Sequence, residues 1–159
     1  MKAYVSLHGR SVWATLNTYY SVLKETDFRP EQIWICTEST YEEQLPILDE
    51  GYKIISIGYD FEPKISSMVL PEGNIIEAGM KIGSLIVSLK KENEVALDVT
   101  SARKALVVGA ILATTENKPD RIYYLMIDTL QDISKPYTMI PRQHQSLIDF
   151  RKQARSIKQ

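Results

Sequence analysis

The stretch AYVSLHGRSVWATLNTYYSVL (residues 3–23) decides the fold class of this chain. Residues 3–7 have the short length and the Tyr and Val content of a buried strand, which His8-Gly9 ends. From Ser11 onward, apolar side chains recur at helical spacing: Val12, Trp13, Leu16, Tyr19, Tyr20 and Leu23. A strand followed at once by an amphipathic helix predicts an α/β fold with a mostly parallel sheet.

The same alternation continues along the chain. Further strands are predicted over residues 32–36, 53–57, 95–97 and 122–126, and helices over residues 40–50, 71–91 and 102–114. Residues 59–70 carry no clear period and are interpreted as a loop, with room for a short extra strand. The last part is expected to hold a strand near residues 137–140 and a helix from about Ser146.

Bulk properties narrow the class of protein. The 159 residues, 44% hydrophobic and 25% charged, predict one globular domain. A net charge of −1 argues against a general nucleic-acid binder, so no long nucleic acid is expected as a partner. One cysteine (Cys36, expected to be buried) and two histidines leave few ligands for zinc, and no metal or other cofactor is expected. Without a signal peptide or a membrane-spanning apolar run, the chain is expected to be cytoplasmic.

The candidate binding residues follow from the fold. In an open α/β sheet, ligands bind at the carboxyl ends of the strands, where loop amides and helix N-termini point outward. Candidates after the first two strands are Leu7, His8, Gly9, Arg10 and Ser11, and then Thr37, Glu38 and Ser39. Candidates after the fourth strand are Asp98, Thr100, Ser101, Arg103 and Lys104, and the candidate after the fifth strand is Asp128.

Two of these segments carry the strongest chemical signals. In the first, Gly9 permits a tight turn, and Ser11 can cap the helix, whose amides suit a phosphate; Ser11 is an N-cap alone or a ligand-binding residue as well. In DVTSARK (residues 98–104), Thr100 or Ser101 can cap the next helix, while two cations fall in its first turn. Cations oppose the helix dipole there, so they are either solvated charges or, as we infer, an anion site.

The helix predicted over residues 102–114 is apolar on nearly every side. In a domain of this size, such a helix either lies under other elements or faces a second subunit. Our working hypothesis is a two-fold homodimer that uses this helix and the long one before it. Gly79 and Gly83 inside that long helix indicate close packing.

Asp98, Thr100 and Lys104 fit the [Asp/Asn]-x-[Ser/Thr]-x-x-x-[Arg/Lys] motif that follows the fourth strand in CARF domains, the CRISPR-associated Rossmann folds. Residues 6–11 (SLHGRS) resemble the glycine-containing loop after the first strand of these domains. The resemblance implies a Rossmann-like domain over residues 1–141, with helices on both faces of a mostly parallel sheet. A basic C-terminal helix or tail would follow over residues 142–159. The resemblance also implies a homodimer that binds a ring of linked adenylates across its two-fold axis.

Standalone members of this family resemble ring nucleases, and no nuclease motif follows the domain in this chain. The resemblance therefore implies a metal-independent enzyme that cleaves cyclic tetra-adenylate and switches off type III CRISPR signalling. A ribose 2′-hydroxyl would attack the adjacent phosphate and leave linear products with 2′,3′-cyclic phosphate ends. Ser11 would orient the reacting group, and Arg103 and Lys104 would stabilise the developing charge. His8 ranks below them as an acid or base, and Asp98 is expected to fix its loop.

Two alternatives stay open. One is a non-catalytic cyclic oligoadenylate sensor that acts through a partner or through DNA contacted by its basic C-terminal helix. The other is an ordinary mononucleotide-binding subunit with a site in each monomer. Tetra- and hexa-adenylate rings need similar local groups, so the ring size is left open as well.

Overall fold

A six-stranded sheet in the order β3-β2-β1-β4-β5-β6 forms the centre of the molecule. The computed structural model describes residues 1–157. Its strands are β1 Lys2–His8, β2 Gln32–Glu38, β3 Lys64–Leu70, β4 Glu94–Asp98, β5 Arg121–Ile127 and β6 Gln145–Asp149. Its α-helices are α1 Val12–Glu25, α2 Leu45–Ile57, α3 Ile75–Leu89, α4 Lys104–Ala113 and α5 Phe150–Ile157. Only β6 runs antiparallel to its neighbour, so the predicted Rossmann-like, mostly parallel fold is confirmed.

Helices cover both faces of this sheet. On one face, Tyr19 of α1 and Tyr52 of α2 pack with Tyr4 of β1 in a cluster of edge-to-face rings. On the other face, α3 and α4 pack on the apolar side chains of β1, β2 and β4. Cys36 is fully buried in that second core, as predicted, and burial raises the pKa of its thiol to about 12. Its thiol is therefore neutral and unreactive near pH 7.

Strands β1 and β4 lie side by side at the centre, and the chain leaves them in opposite directions. The helix after β1 leads to β2 on one side, whereas the helix after β4 leads to β5 on the other. The loops that follow β1 and β4 therefore diverge at the carboxyl edge. This is the topological switch point, where an open α/β sheet has its ligand crevice.

Two of the element predictions in the first half of the chain were wrong. Residues 53–57 are not a strand, because they form the last turns of α2, with Tyr52 and Ser56 facing the core. The third strand is instead β3, inside the segment that was interpreted as a loop with room for a short extra strand. The helix predicted to begin at Thr40 begins as a 3-10 turn over Ser39–Gln44 and becomes α-helical only from Leu45.

The C-terminal assignments also need correction. The strand expected near residues 137–140 is a 3-10 turn, Tyr137–Met139, which the flanking Pro136 and Pro141 confine because neither can continue a ladder. The helix expected from Ser146 begins four residues later, at Phe150, since Gln145–Asp149 forms the antiparallel edge strand β6. Residues 158–159 of the predicted basic tail lie outside the described residues.

Helices α3 and α4 approach each other through small residues, as the glycines predicted. A methyl group on Gly79 would lie 2.7 Å from the backbone of Gly109, and one on Gly83 would lie 2.9 Å from Cβ of Ala113. The outward side of this helix pair is apolar and open. Leu112 is 69% exposed and Val108 56%, so α4 is not buried all round within one chain. Across residues 1–157, no helix combines the length and apolarity that a membrane span requires.

Candidate functional site

The loops after β1 and β4 touch at the switch point. The Gly9 N–H donates a hydrogen bond to Ser101 Oγ at 3.2 Å, and Ser101 Oγ donates one to the Ser11 carbonyl at 3.1 Å. A Cβ on Gly9 would lie only 2.2 Å from the Ser101 carbonyl oxygen, so the close approach requires glycine. The structure thus joins the two segments that carried the strongest sequence signals.

A cleft of about 630 Å³ opens beside these loops. Four predicted residues supply its polar wall: Arg10, Ser11, Thr100 and Ser101. Its apolar wall comes from Val12, Trp13, Tyr124, Leu125, Ile127 and Ile133. Polar loop groups and aromatic rings on one cleft match what a nucleotide presents, since phosphate and ribose need donors while a base needs a flat apolar surface.

Trp13 is a cleft residue that the sequence analysis did not single out as a binding residue. It was counted among the apolar residues of α1, yet its side chain is 42% exposed and lines the cleft. Leu16, Tyr19 and Leu23 continue the helical face that begins at Val12, and Trp13 lies about 100° away from that face. An exposed indole off the core face was a signal that could have identified it.

Ser11 combines both of the roles considered for it. It is the N-cap of α1, and its Oγ accepts a hydrogen bond from the Ala14 N–H at 3.1 Å. Accepting that bond leaves the hydroxyl proton available for a ligand, because a hydroxyl donates once as well as accepting. Since Ser11 also lines the cleft, its hydroxyl can cap α1 and donate to a ligand at the same time.

Neither Thr100 nor Ser101 caps α4, contrary to the sequence-based expectation. Thr100 Oγ1 instead accepts from the Leu125 N–H at 3.0 Å, which ties the loop to β5, and Ser101 bridges to the β1 loop. The N-cap of α4 is Arg103, which makes no side-chain capping bond. Lys104 is the first helical residue and is exposed, so α4 presents uncapped amides and a cation at this edge.

Arg103 points away from the cleft toward two carboxylates. Its Nε lies 3.2 Å from Glu38 Oε2, and its Nη2 lies 3.9 Å from Glu72 Oε1. The guanidinium also lies 5.7 Å from the centre of the Tyr41 ring. The predicted residues Glu38 and Ser39 belong to this corner, where Ser39 Oγ donates to Glu72 at 3.3 Å. Arg103 therefore has to leave Glu38 and Glu72 before its guanidinium can contact the phosphate of a ligand.

His8 is a buried structural residue here rather than a free acid or base. The Nε2–H donates to Gln44 Oε1 at 2.8 Å, and Nδ1 pairs with Thr15 Oγ1 at 2.7 Å. Burial lowers the pKa of the imidazole, which favours its neutral form. The side chains of Leu7 and Thr37 are also buried, so these positions offer a ligand only backbone atoms.

Asp98 lies beneath the site and points into the core on the side of α1 and α2. Its Oδ1 accepts a hydrogen bond from the Thr100 N–H at 2.9 Å, the contact that a loop-fixing role requires. Its Oδ2 is buried and lacks a well-aligned partner, as do the hydroxyls of Tyr4, Ser6 and Tyr52. Burial raises the pKa of Asp98 to about 7, although the Thr100 hydrogen bond opposes the shift.

This raised pKa predicts a pH dependence of stability. The folded chain holds a proton on Asp98 that the unfolded chain releases near pH 4, so the stabilising contribution is complete below pH 4 and falls as the pH rises to about 7. Asp98→Asn keeps an acceptor for Thr100 but cannot ionise. Urea unfolding from pH 4 to 8 is expected to show the wild type losing up to about 4 kcal/mol relative to the variant. Parallel stability curves would contradict this account.

The remaining features do not line the cleft, although Asp128 directly follows Ile127, which does. Asp128 is exposed at the end of β5, and its N–H donates to the His144 carbonyl at 2.9 Å. A larger cleft of about 760 Å³ lies at the opposite, amino-terminal edge of the sheet. Charges there already pair with each other, as Lys90 does with Asp120 at 2.8 Å. Within residues 1–157, no group of three or more His, Cys, Asp or Glu side chains is placed to hold a metal ion.

Comparisons with known proteins support the fold. No family model and no curated protein sequence matches the chain. The similar solved structures include a type III CRISPR defence DNA nuclease activated by cyclic oligoadenylate, and Enterococcus italicus Csm6 bound to cyclic hexa-2′-fluoro-hexa-dAMP. The TM-scores are 0.58 and 0.63 at 16% and 14% identity, over 79% and 99% of this chain. The chain spans 19% of the nuclease and 44% of Csm6, and the likeness supports a CARF-type fold.

Proposed function

We propose that this protein binds a cyclic oligoadenylate at the carboxyl edge of its sheet. The observation that carries the proposal is the contact between the two motif loops, which places Ser11, Thr100 and Ser101 on one cleft at the switch point. One structural neighbour is activated by cyclic oligoadenylate, and the other is bound to a cyclic hexa-adenylate analogue. The backbone of an adenylate ring suits the polar wall, and its bases suit Trp13 and Tyr124.

We further propose that the binding unit is a homodimer joined through the open face of α3 and α4. Ile76 and Met80 of α3 are 77% and 63% exposed and lie on the same helix pair as Val108 and Leu112. Monomeric proteins rarely expose contiguous apolar patches of this kind, and a two-fold contact would cover both copies at once. The α4 N-terminus belongs to this helix pair, so the dimer would bring two sites together.

The proposed reaction is metal-independent cleavage of cyclic tetra-adenylate. A ribose 2′-oxygen forms a bond to the adjacent phosphorus while the bond from phosphorus to the 5′-oxygen breaks, leaving a 2′,3′-cyclic phosphate. The protein need not supply a nucleophile, because the substrate carries its own. Its task is to align the two oxygens and stabilise charge on the phosphorane, with Ser11 orienting the ribose or phosphate and Lys104 facing the developing charge. Arg103 joins them once it leaves Glu38 and Glu72.

The test is incubation of the purified protein with cyclic tetra-adenylate in EDTA, followed by chromatography of the products. Linear di-adenylate with 2′,3′-cyclic phosphate ends is expected, and Ser11→Ala and Lys104→Ala are each expected to slow its formation about 100-fold. Because Ser11→Ala also removes a cap worth about 1 kcal/mol, Ser11→Asn serves as a control that keeps the cap but has no hydroxyl. If cyclic tetra-adenylate stays intact after hours of incubation, the proposed cleavage reaction is overturned.

A non-catalytic sensor is the second candidate, and the contacts of Arg103 favour it. Glu38 and Glu72 hold this cation away from the cleft. A ligand phosphate would attract it and so free the end of β2 and the turn after β3, which carry the two carboxylates. Tight binding without cleavage in the same assay would support this function. Competition between tetra- and hexa-adenylate rings for the site would give the ring size.

A further inference from the structure

The loop between β5 and β6 (residues 128–144) is organised around one buried carboxylate. Asp132 is 3% exposed and accepts hydrogen bonds from three side chains: Thr129 Oγ1, Lys135 Nζ at 2.6 Å and His144 Nδ1 at 2.9 Å. These contacts, first of all the one from Lys135, hold the pKa of Asp132 well below its usual range. The carboxylate is therefore ionised and can only accept hydrogen bonds.

That carboxylate selects the tautomer of His144. Since Asp132 cannot donate, the proton of the neutral imidazole lies on Nδ1, and Nε2 keeps a lone pair. Within residues 1–157 Nε2 has no hydrogen-bond partner, and the His144 side chain is 36% exposed. An imidazole oriented through Nδ1 by a buried carboxylate, with a free Nε2, is the arrangement that a general base requires.

The loop that holds His144 also borders the cleft, which Ile133 and Ser134 of this loop line. The next residue, Gln145, pairs across the sheet with Ile127, and the residue after Asp132 is Ile133; both isoleucines line the cleft. Asn17 of α1, one turn beyond Trp13, ties the loop to this helix. Its Nδ2 donates to the Lys135 carbonyl at 2.8 Å, and its Oδ1 accepts from the Tyr137 N–H at 2.9 Å. The helix that Ser11 caps is thus also bonded to the loop that holds His144.

We propose that His144 is the general base of the cleavage reaction, an inference that rests on the proposed function. Nε2 takes the proton of the ribose 2′-hydroxyl as the bond from the 2′-oxygen to phosphorus forms. The bond from phosphorus to the 5′-oxygen breaks, and Lys104 delivers a proton to that oxygen. Exchange with water then returns both groups to their starting states. Asp132 is a positioning residue that stabilises the imidazolium formed in this step.

His144→Asn separates this role from loop structure. The asparagine amide can still donate to Asp132 in place of Nδ1–H, but it offers no basic nitrogen. The variant is expected to keep its thermal midpoint, and its affinity for cyclic tetra-adenylate is expected to change by less than about two-fold. Its cleavage rate is expected to fall about 100-fold or more. In His144→Ala, which opens space for a small molecule, added imidazole is expected to restore part of the lost rate, and a purely structural histidine would not respond in this way.

The outcomes separate the two proposals. If the wild type binds the ring without cleaving it, both the proposed cleavage reaction and the proposed role of His144 as a base are overturned. The non-catalytic sensor is then the remaining candidate function. If the wild type cleaves and His144→Asn cleaves equally fast, the proposed function stands and only the role of His144 is overturned. The role of His144 as a base is likewise overturned if His144→Ala loses activity that imidazole does not restore while the thermal midpoint also falls.

Discussion

Gly9→Ala is expected to cost about 3 kcal/mol of folding stability and to abolish ring binding. The added Cβ would lie 2.2 Å from the Ser101 carbonyl oxygen and 3.2 Å from Cα of Ala102. These are backbone atoms, so no rotamer change can relieve the contact. The β4 loop has to move, and the bonds that Ser101 makes to Gly9 and Ser11 are lost with it.

Urea unfolding and titration with cyclic tetra-adenylate would measure both effects. Gly58→Ala is the matched control. Gly58 ends α2 with a helical φ of −63°. A Cβ added there would contact only carbonyl oxygens of the last turn of α2, the nearer at 3.3 Å. That control is expected to change stability by less than about 1 kcal/mol and to leave binding intact. A Gly9→Ala protein with normal stability and affinity would mean that the two loops do not act as one unit.

Sequence patterns predicted the central strands well and failed at the edges of the sheet. The four central strands, β1, β2, β4 and β5, lie between neighbours and are rich in apolar residues, which makes them recognisable. The edge strands β3 and β6 are half exposed and tolerate polar residues such as Ser66, Ser67 and Gln145. The β-branched run at residues 53–57 was more strand-like by composition, but one side of it continues the buried face of α2. Edge position is a tertiary property that local composition does not encode.

The features of the candidate site were likewise predictable only in part. The alternation of strands and helices places all parallel strand ends at one edge, so the candidate loops were found. That the Gly9 and Ser101 loops touch depends on β1 and β4 being neighbours in the sheet, which the sequence analysis did not predict. Side-chain direction did not follow from the sequence either. Asp98 points into the core and Arg103 toward Glu38, because local packing and charge decide those rotamers. The pairing of Asp132 with His144 depends on how an irregular loop folds back over twelve residues, and no periodic pattern predicts such a contact.

Leu112→Asp is expected to convert the proposed dimer into a monomer of 18.2 kDa and to weaken ring binding about 100-fold or more. Leu112 is 69% exposed on the open face of α4, where a charge in a covered apolar contact would be desolvated without a partner. If the ring spans two sites, each monomer keeps only half of the contacts, and the gain from binding both halves at once is lost. Sedimentation equilibrium and ligand titration would measure the two effects on the same samples.

Ile47→Asp provides the matched control for this prediction. Ile47 is 56% exposed on α2, across the sheet from α3 and α4, so the same change in charge and volume falls outside the proposed contact. This variant is expected to leave both the oligomeric mass in sedimentation and the affinity for the ring unchanged. A Leu112→Asp monomer that binds the ring as tightly as the wild type would place the whole ligand within one chain. The open helix face would then serve some purpose other than ligand binding, and the mononucleotide-type site in each monomer would become the better account.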